Sequence, residues 1–288
     1  MDVPFVTCDV FTDERFGGNP LAVVFEAVSL EEAQMQAIAA EFNYSETVFV
    51  LPPKTTEHTA RLRIFTPRAE LAFAGHPTIG AALMMADLEL VSGDAVIFEE
   101  ASGLVHVRFI DTPSGRQAEL EAPEPPRLGA TEAAGDIAAS SGLPPEAISI
   151  RRHQPMVASA GTEFLFVELA DEAQLECLRP TTAYNVLSGT GVFFYAQTGD
   201  GQFSGRMFAP KVGVAEDPAT GSAAAALAGL LASLEPEDGT FSWTLEQGID
   251  MGRPSLLIMG AERRGGVVTR ATVAGGAVAV SRGMMTVE

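Results

Sequence analysis

Glu216-Asp217-Pro218-Ala219-Thr220-Gly221-Ser222, followed at once by Ala223-Ala224-Ala225-Ala226-Leu227, is the stretch on which the fold turns. Asp217 reads as a helix N-cap and Pro218 as the first helical residue, where a missing N–H and a fixed φ cost nothing. The next residues would present free backbone N–H groups at the positive end of the helix dipole, a setting that suits a carboxylate or phosphate. Gly221 would let such a ligand approach the backbone closely. The pattern occurs twice. Upstream, His76-Pro77-Thr78-Ile79-Gly80-Ala81-Ala82 lines up with Asp217-Pro218-Ala219-Thr220-Gly221-Ser222-Ala223 without a gap, and Arg63-Ile64-Phe65-Thr66-Pro67-Arg68 ahead of it matches Arg206-Met207-Phe208-Ala209-Pro210-Lys211. A strand, a loop and a Pro-led apolar helix thus recur about half a chain apart, which marks an internal repeat.

Both motif helices are apolar nearly all round: Ala81 to Ala86 in one copy, Ala223 to Leu231 in the other. A helix without a polar face must be buried on most sides. The surrounding segments are short strand candidates that follow one another directly, so antiparallel pairing should dominate. The expected fold is α+β, with two pseudo-symmetric domains, each a curved, mostly antiparallel, barrel-like sheet around a central apolar helix. The domains are expected at residues 1–124 and 125–278, with 279–288 returning to the first, and the Pro-rich Ala122-Pro123-Glu124-Pro125-Pro126 as linker. If the halves face each other about a pseudo-twofold, both helix starts would point into one cleft and hold a small anion from two sides.

The whole chain bounds this reading. Its 288 residues, 47% hydrophobic, suffice for a substantial core. A formal net charge of −20 leaves no basic patch for nucleic acid. The beginning of the sequence lacks a signal-peptide pattern and no apolar run approaches the ~20 residues that span a bilayer, so neither membrane nor export is expected and the cytoplasm is. Cys8 and Cys177 make no disulfide framework and read as inert thiols. His58, His106 and His153 stand alone, without zinc spacing, and Gly189-Thr190-Gly191 fails as a dinucleotide fingerprint, so no metal or cofactor is expected.

Along the chain, Ser29 and Glu32 suggest a capping box for a helix to about Glu41, and Asn43-Tyr44-Ser45-Glu46 leads into the strand Thr47–Leu51. A helix from Thr78 to about Leu90 and strands at 95–99, 104–110 and 117–121 close the first half. Helices near 132–141 and 171–178, and strands at 156–160, 163–169, 192–197, 240–247, 255–259, 267–273 and 276–282, fill the second.

Taken together, these motifs resemble the phenazine-biosynthesis PhzF-like family, within the diaminopimelate-epimerase-like fold. The resemblance is carried by Gly17-Gly18-Asn19-Pro20-Leu21-Ala22-Val23-Val24, Asn43-Tyr44-Ser45-Glu46-Thr47, Phe65-Thr66-Pro67, Ala74-Gly75-His76-Pro77-Thr78-Ile79-Gly80, Glu216 to Ser222, and Gln247-Gly248 with Met251-Gly252-Arg253-Pro254-Ser255. It implies a homodimeric, cofactor-free isomerase that moves a proton within a small carboxylate, as with trans-2,3-dihydro-3-hydroxyanthranilate. By the same resemblance Glu46 is the acid/base, His76 and Asp217 complete the catalytic set, and Ser222, Gly75, Gly221, Gly18 and Asn19 hold substrate. The two-thiol epimerases that share the fold carry a cysteine in each helix-start loop, and this chain has none there.

Each assignment has a plainer alternative. Glu46 partly shut from water could accept and return a proton near neutral pH, or be an exposed carboxylate at a turn. Asp217 and His76 could be helix caps alone, and Ser222 merely a small residue of the first turn. The competing functions are a non-thiol epimerase or racemase, with His76 and Asp217 on opposite substrate faces, and a non-catalytic carboxylate-binding protein.

Overall fold

The computed structural model describes residues 1–113 and 115–288. The chain divides into two compact units, residues 1–121 with 274–288, and residues 122–273. In the first, β1 (Asp2–Val10) pairs antiparallel with β2 (Asn19–Val24), β2 parallel with β3 (Glu46–Leu51), and β3 antiparallel with β4 (Ala60–Phe65). β4 then pairs antiparallel with β5 (Glu70–Leu71) and parallel with β6 (Ala95–Glu100), which continues as a meander through β7 (Gly103–Thr112) and β8 (Gly115–Glu121). Helix α1 (Glu32–Phe42) joins β2 to β3, and α2 (Gly75–Asp87) joins β5 to β6.

The second unit opens with β9 (Arg127–Thr131) and α3 (Ala134–Ser141), and then repeats the pairing order. β10 (Met156–Ser159) is antiparallel to β11 (Glu163–Glu168); after α4 (Ala173–Cys177), β12 (Gly191–Gly199) is parallel to β11 and antiparallel to β13 (Gln202–Ala209). β13 is antiparallel to β14 (Val214–Asp217) and, across α5 (Gly221–Leu234), parallel to β15 (Gly239–Gln247), which pairs with β16 (Ser255–Arg264). β17 (Val267–Gly275) then leads to β18 (Ala277–Thr286), which returns to the first unit and lies antiparallel to β1 from Asp2↔Thr286 to Val10↔Ala277. The chain is therefore α+β, with curled sheets that do not close into barrels. Among the described residues no helix is long and apolar enough to cross a membrane.

The apolar helices explain the curl. α2 is buried without interruption from Gly75 to Met85 and packs on β1, β2, β3, β8 and β18. α5 is buried along almost its whole length and packs on β9, β10, β11, β15 and β16. Each large apolar side chain so covered contributes roughly 1.5–3 kcal/mol. Small residues set the approach: a Cβ on Gly80 would come 2.4 Å from Leu21 Cδ2 and 2.8 Å from Val10 Cγ2.

Local expectations change in four places. Ser29 lies in a 3-10 turn, and the capping box of α1 is formed by Glu31 with Gln34. α2 begins at Gly75 behind Ala74, so His76 and Pro77 are already helical and neither starts the helix. α5 begins at Gly221 behind Thr220, so Asp217 is not its N-cap and Pro218 is not its first residue; side-chain bonds described below hold residues 217–220 out of the helix. β9 has no hydrophobic alternation to betray it, because all five of its residues are exposed.

The close packing of α5 is testable at Gly229, where an added Cβ would sit 2.3 Å from Pro126 Cβ and 2.6 Å from its Cγ. Gly229→Ala should destabilise by about 1–2 kcal/mol by overpacking, although alanine is the better helix former. In a Pro126→Gly background the same change should become neutral or stabilising, as read by thermal denaturation of the four proteins.

Candidate active site

In the first unit three separate segments converge. Glu46 is the first residue of β3, next to Leu21 of the parallel β2. Asn19, fully buried, starts β2, and its Oδ1 accepts a hydrogen bond from Ser45 Oγ at 3.4 Å. The turn into Asn19 requires glycine: Gly18 has φ +59°, and a Cβ there would lie 2.3 Å from the Val10 carbonyl oxygen. His76 sits on the first turn of α2, directly after Gly75, with Nε2 3.4 Å from Glu46 Oε2. The side chains are 7% (His76) and 18% (Glu46) exposed, so the pair is largely shut from water.

Burial lowers His76 to about 3, so its imidazole is neutral at physiological pH and its contact with Glu46 is not an ion pair. Nε2 makes no hydrogen bond among the described residues. A buried polar nitrogen left so, facing a carboxylate, is costly to the fold and makes this pair the candidate site of the first unit.

In the second unit Asp217 ends β14 and is buried. Its Oδ2 accepts from Thr220 Oγ at 2.5 Å. Gln247, also buried, closes the loop: its amide oxygen accepts from Thr220 N–H at 3.1 Å, while its amide nitrogen donates to the Asp217 carbonyl at 2.8 Å and Thr220 Oγ at 3.1 Å. One amide thus satisfies both ends of the 217–220 loop, which is why the helix waits until Gly221 despite the Asp-Pro signal. Gly248, at φ +77°, lets Pro218 lie against the backbone, where a Cβ would come 2.6 Å from the Pro218 oxygen. Just upstream, Arg206 holds Glu216 in a two-pronged bond at 2.8 and 2.9 Å, tying β14 to β13. Ser222 is half-buried on the first turn of α5, beside Gly221.

The structure thus brings Glu46, His76, Gly75, Gly18 and Asn19 together in the first unit, and Asp217, Gly221 and Ser222 in the second. Cys8 lies buried beneath α2, where burial pushes its thiol up, and Cys177 is exposed on α4; neither is at a helix start. Sequence reasoning gave no role to the supporting groups Gln247 and Thr220, nor to Thr78 and Glu100, whose hydroxyl and carboxyl oxygens lie 2.6 Å apart behind the first turn of α2. Glu100 was detectable, because alternation through Val96 and Phe98 puts it on the core face of its strand.

Comparison with known proteins shows what the chain as a whole is similar to. The family model described as phenazine biosynthesis-like protein matches residues 8–283. An uncharacterised isomerase of Mesorhizobium japonicum is 39% identical, with 98% of each chain covered. A trans-2,3-dihydro-3-hydroxyanthranilate isomerase of Pseudomonas chlororaphis is 35% identical over 97% of this chain and 98% of its own. A phenazine biosynthesis protein of the PhzF family from Bacillus anthracis, a solved structure covered fully in both directions at 21% identity, shares the fold with a TM-score of 0.91.

Two outcomes follow from the geometry. Gln247→Ala strips a buried N–H and a buried carbonyl of their partner and should cost about 2–4 kcal/mol, measured by denaturant unfolding. The unfolded chain takes up a proton on His76 near its ordinary value of 6.5, whereas the native state resists down to about 3. Stability linked to His76 is therefore complete above pH 6.5 and is lost as pH falls toward 3. His76→Asn should flatten that acid slope, and the His76 ring resonances should show no protonation between pH 5 and 8.

Proposed function

The chain belongs to the family of phenazine biosynthesis-like proteins, and from that premise we propose that it is a cofactor-independent isomerase moving a proton within a small carboxylate related to trans-2,3-dihydro-3-hydroxyanthranilate. That it is an isomerase accords with the names of its relatives. The observation that carries the finer reading is the buried contact between the Glu46 carboxylate and the neutral His76 imidazole.

In this reading Glu46 takes a proton from one carbon of the substrate and returns it to another. A general acid/base so placed contributes about 10²–10⁴-fold in rate. His76, neutral, does not lock the carboxylate into an ion pair, and it can pass a hydrogen bond to the substrate or to Glu46. Asp217 completes the catalytic set, held at a fixed angle by Thr220 and Gln247. Ser222, Gly75, Gly221, Gly18 and Asn19 are assigned to holding the substrate. The family resemblance also supports a homodimer in the cytoplasm.

The test is proton NMR in heavy water with trans-2,3-dihydro-3-hydroxyanthranilate, followed by a panel of other small carboxylates. The protein should wash solvent deuterium into its substrate. Glu46→Gln should slow that incorporation by at least about 10²-fold with melting temperature and ligand binding unchanged. Incorporation at the original rate in this variant would remove Glu46 from the role.

A further inference from the structure

Glu100 ends β6 and is 9% exposed. Its Oε1 lies 2.6 Å from Thr78 Oγ on α2, and the same hydroxyl lies 2.8 Å from the carbonyl oxygen of Ala74, the residue that caps α2. A threonine hydroxyl carries a single hydrogen. It cannot be given to the carbonyl and to a carboxylate at once, and an ionised Glu100 has no hydrogen of its own to offer. Both contacts are satisfied when Glu100 is protonated: the acid donates to Thr78, and Thr78 donates to Ala74. Among the described residues Glu100 Oε2 has no hydrogen-bond partner, a severe state for a buried carboxylate and a mild one for the C=O of a neutral acid.

Charges around Glu100 do not change this count. In the β6–β7 register Glu100 faces Gly103, so Val105, Val107 and Phe109 share its side of the sheet, and His106 and Arg108 lie on the other. Asp111 shares the side but sits at the far end of β7. On β4, Arg61 is level with Glu99, so Arg61 and Arg63 also project from the opposite face, where Glu99 itself meets His58. On α2 the titratable groups are the neutral His76 and Asp87, the latter at the other end of the helix.

We propose that Glu100 is a positioning residue, a neutral carboxylic acid that donates to Thr78 and, through the Thr78-to-Ala74 bond, clamps the turn of α2 that presents His76 to Glu46. His76 lies between Ala74 and Thr78. The backbone bond across that turn, Thr78 N–H to Ala74 C=O, is long at 3.3 Å, so the hydroxyl bond is the tighter tie. Burial raises Glu100 to about 8, against a smaller lowering by the Thr78 hydroxyl. The clamp is therefore whole at neutral pH. As pH rises through about 8 the acid loses its proton to solvent, Thr78 turns its hydrogen to the carboxylate, and Ala74 keeps only the long backbone bond.

The proposal rests on His76 as a site residue, but its test needs no substrate, so it can fail or hold independently of the isomerase reading. The protein is compared with Glu100→Gln, whose amide can still donate to Thr78, with Thr78→Val, which removes the link, and with Thr78→Ser, which keeps the hydroxyl; Glu100→Gln keeps the comparison decisive should the valine variant fold poorly. Infrared difference spectra should show a protonated carboxyl band at pH 7 that is missing in Glu100→Gln and disappears in the parent as pH rises through about 8. The His76 ring resonances should shift with that same midpoint in the parent and in Thr78→Ser. They should stay still in Glu100→Gln and in Thr78→Val, the latter retaining the carboxyl band.

Stability gives a second readout. The native state keeps the Glu100 proton up to about pH 8 while the unfolded chain releases it near 4.5, so the stability linked to Glu100 falls across that interval; below pH 6.5 the opposite slope of His76 offsets it, and the parent's melting temperature should fall from pH 6.5 to about 8 and level off above it. Glu100→Gln should lack that fall. Absence of the carboxyl band at pH 7 would overturn the proposal, and so would a band that titrates while His76 does not respond.

Discussion

Two helices without a polar face impose the rest of the structure. An apolar cylinder cannot lie on one side of a flat sheet without exposing its back, so α2 and α5 each require strands on several sides. The curled sheets follow, as do the small residues that let strand and helix approach, Gly80 against Leu21 and Gly229 against Pro126. The same constraint drags the first turn of each helix out of water, together with whatever polar groups the sequence has put there.

The two units meet that difficulty differently. Around α2 the polar groups give up charge: burial leaves the His76 imidazole neutral and disfavours ionisation of Glu100. Around α5 they keep hydrogen bonds, with the Gln247 amide bridging Asp217 and Thr220, and Arg206 holding Glu216 in a buried pair whose remaining donors reach the Leu175 and Leu178 carbonyls. A buried pair of this kind adds little net stability, but its directional bonds fix where β14 delivers Asp217. One unit thus carries a carboxylate beside a neutral base, and the other carries a carboxylate held at a set angle.

Much of this was legible in the chain. The repeated strand–loop–helix motif, the all-apolar helices and the short alternating strands lead to the α+β class and its curled sheets. Glu46 and His76, thirty positions apart, are linked only by the family resemblance, because no periodicity connects residues on different elements. The helix starts were misread for a physical reason. Asp-Pro is a strong local capping signal, yet the amide of Gln247, distant in sequence, outbids it by satisfying both the Asp217 carbonyl and the Thr220 N–H. β9 escaped notice because exposed residues leave no hydrophobic imprint. Glu100 left a fainter trace, a carboxylate in phase with the core face of its strand.

The return of β18 to β1 also governs the order in which the chain can fold as it is made. The second unit is complete in sequence once residue 273 has been synthesised, while the first lacks one of its strands until residues 277–286 emerge. Until then one edge of β1 and one flank of α2 have no cover, although every residue of the Glu46–His76 group has long been made. The first half synthesised is therefore the last to close, and its unpaired strand edge must be kept from foreign partners throughout the making of the second.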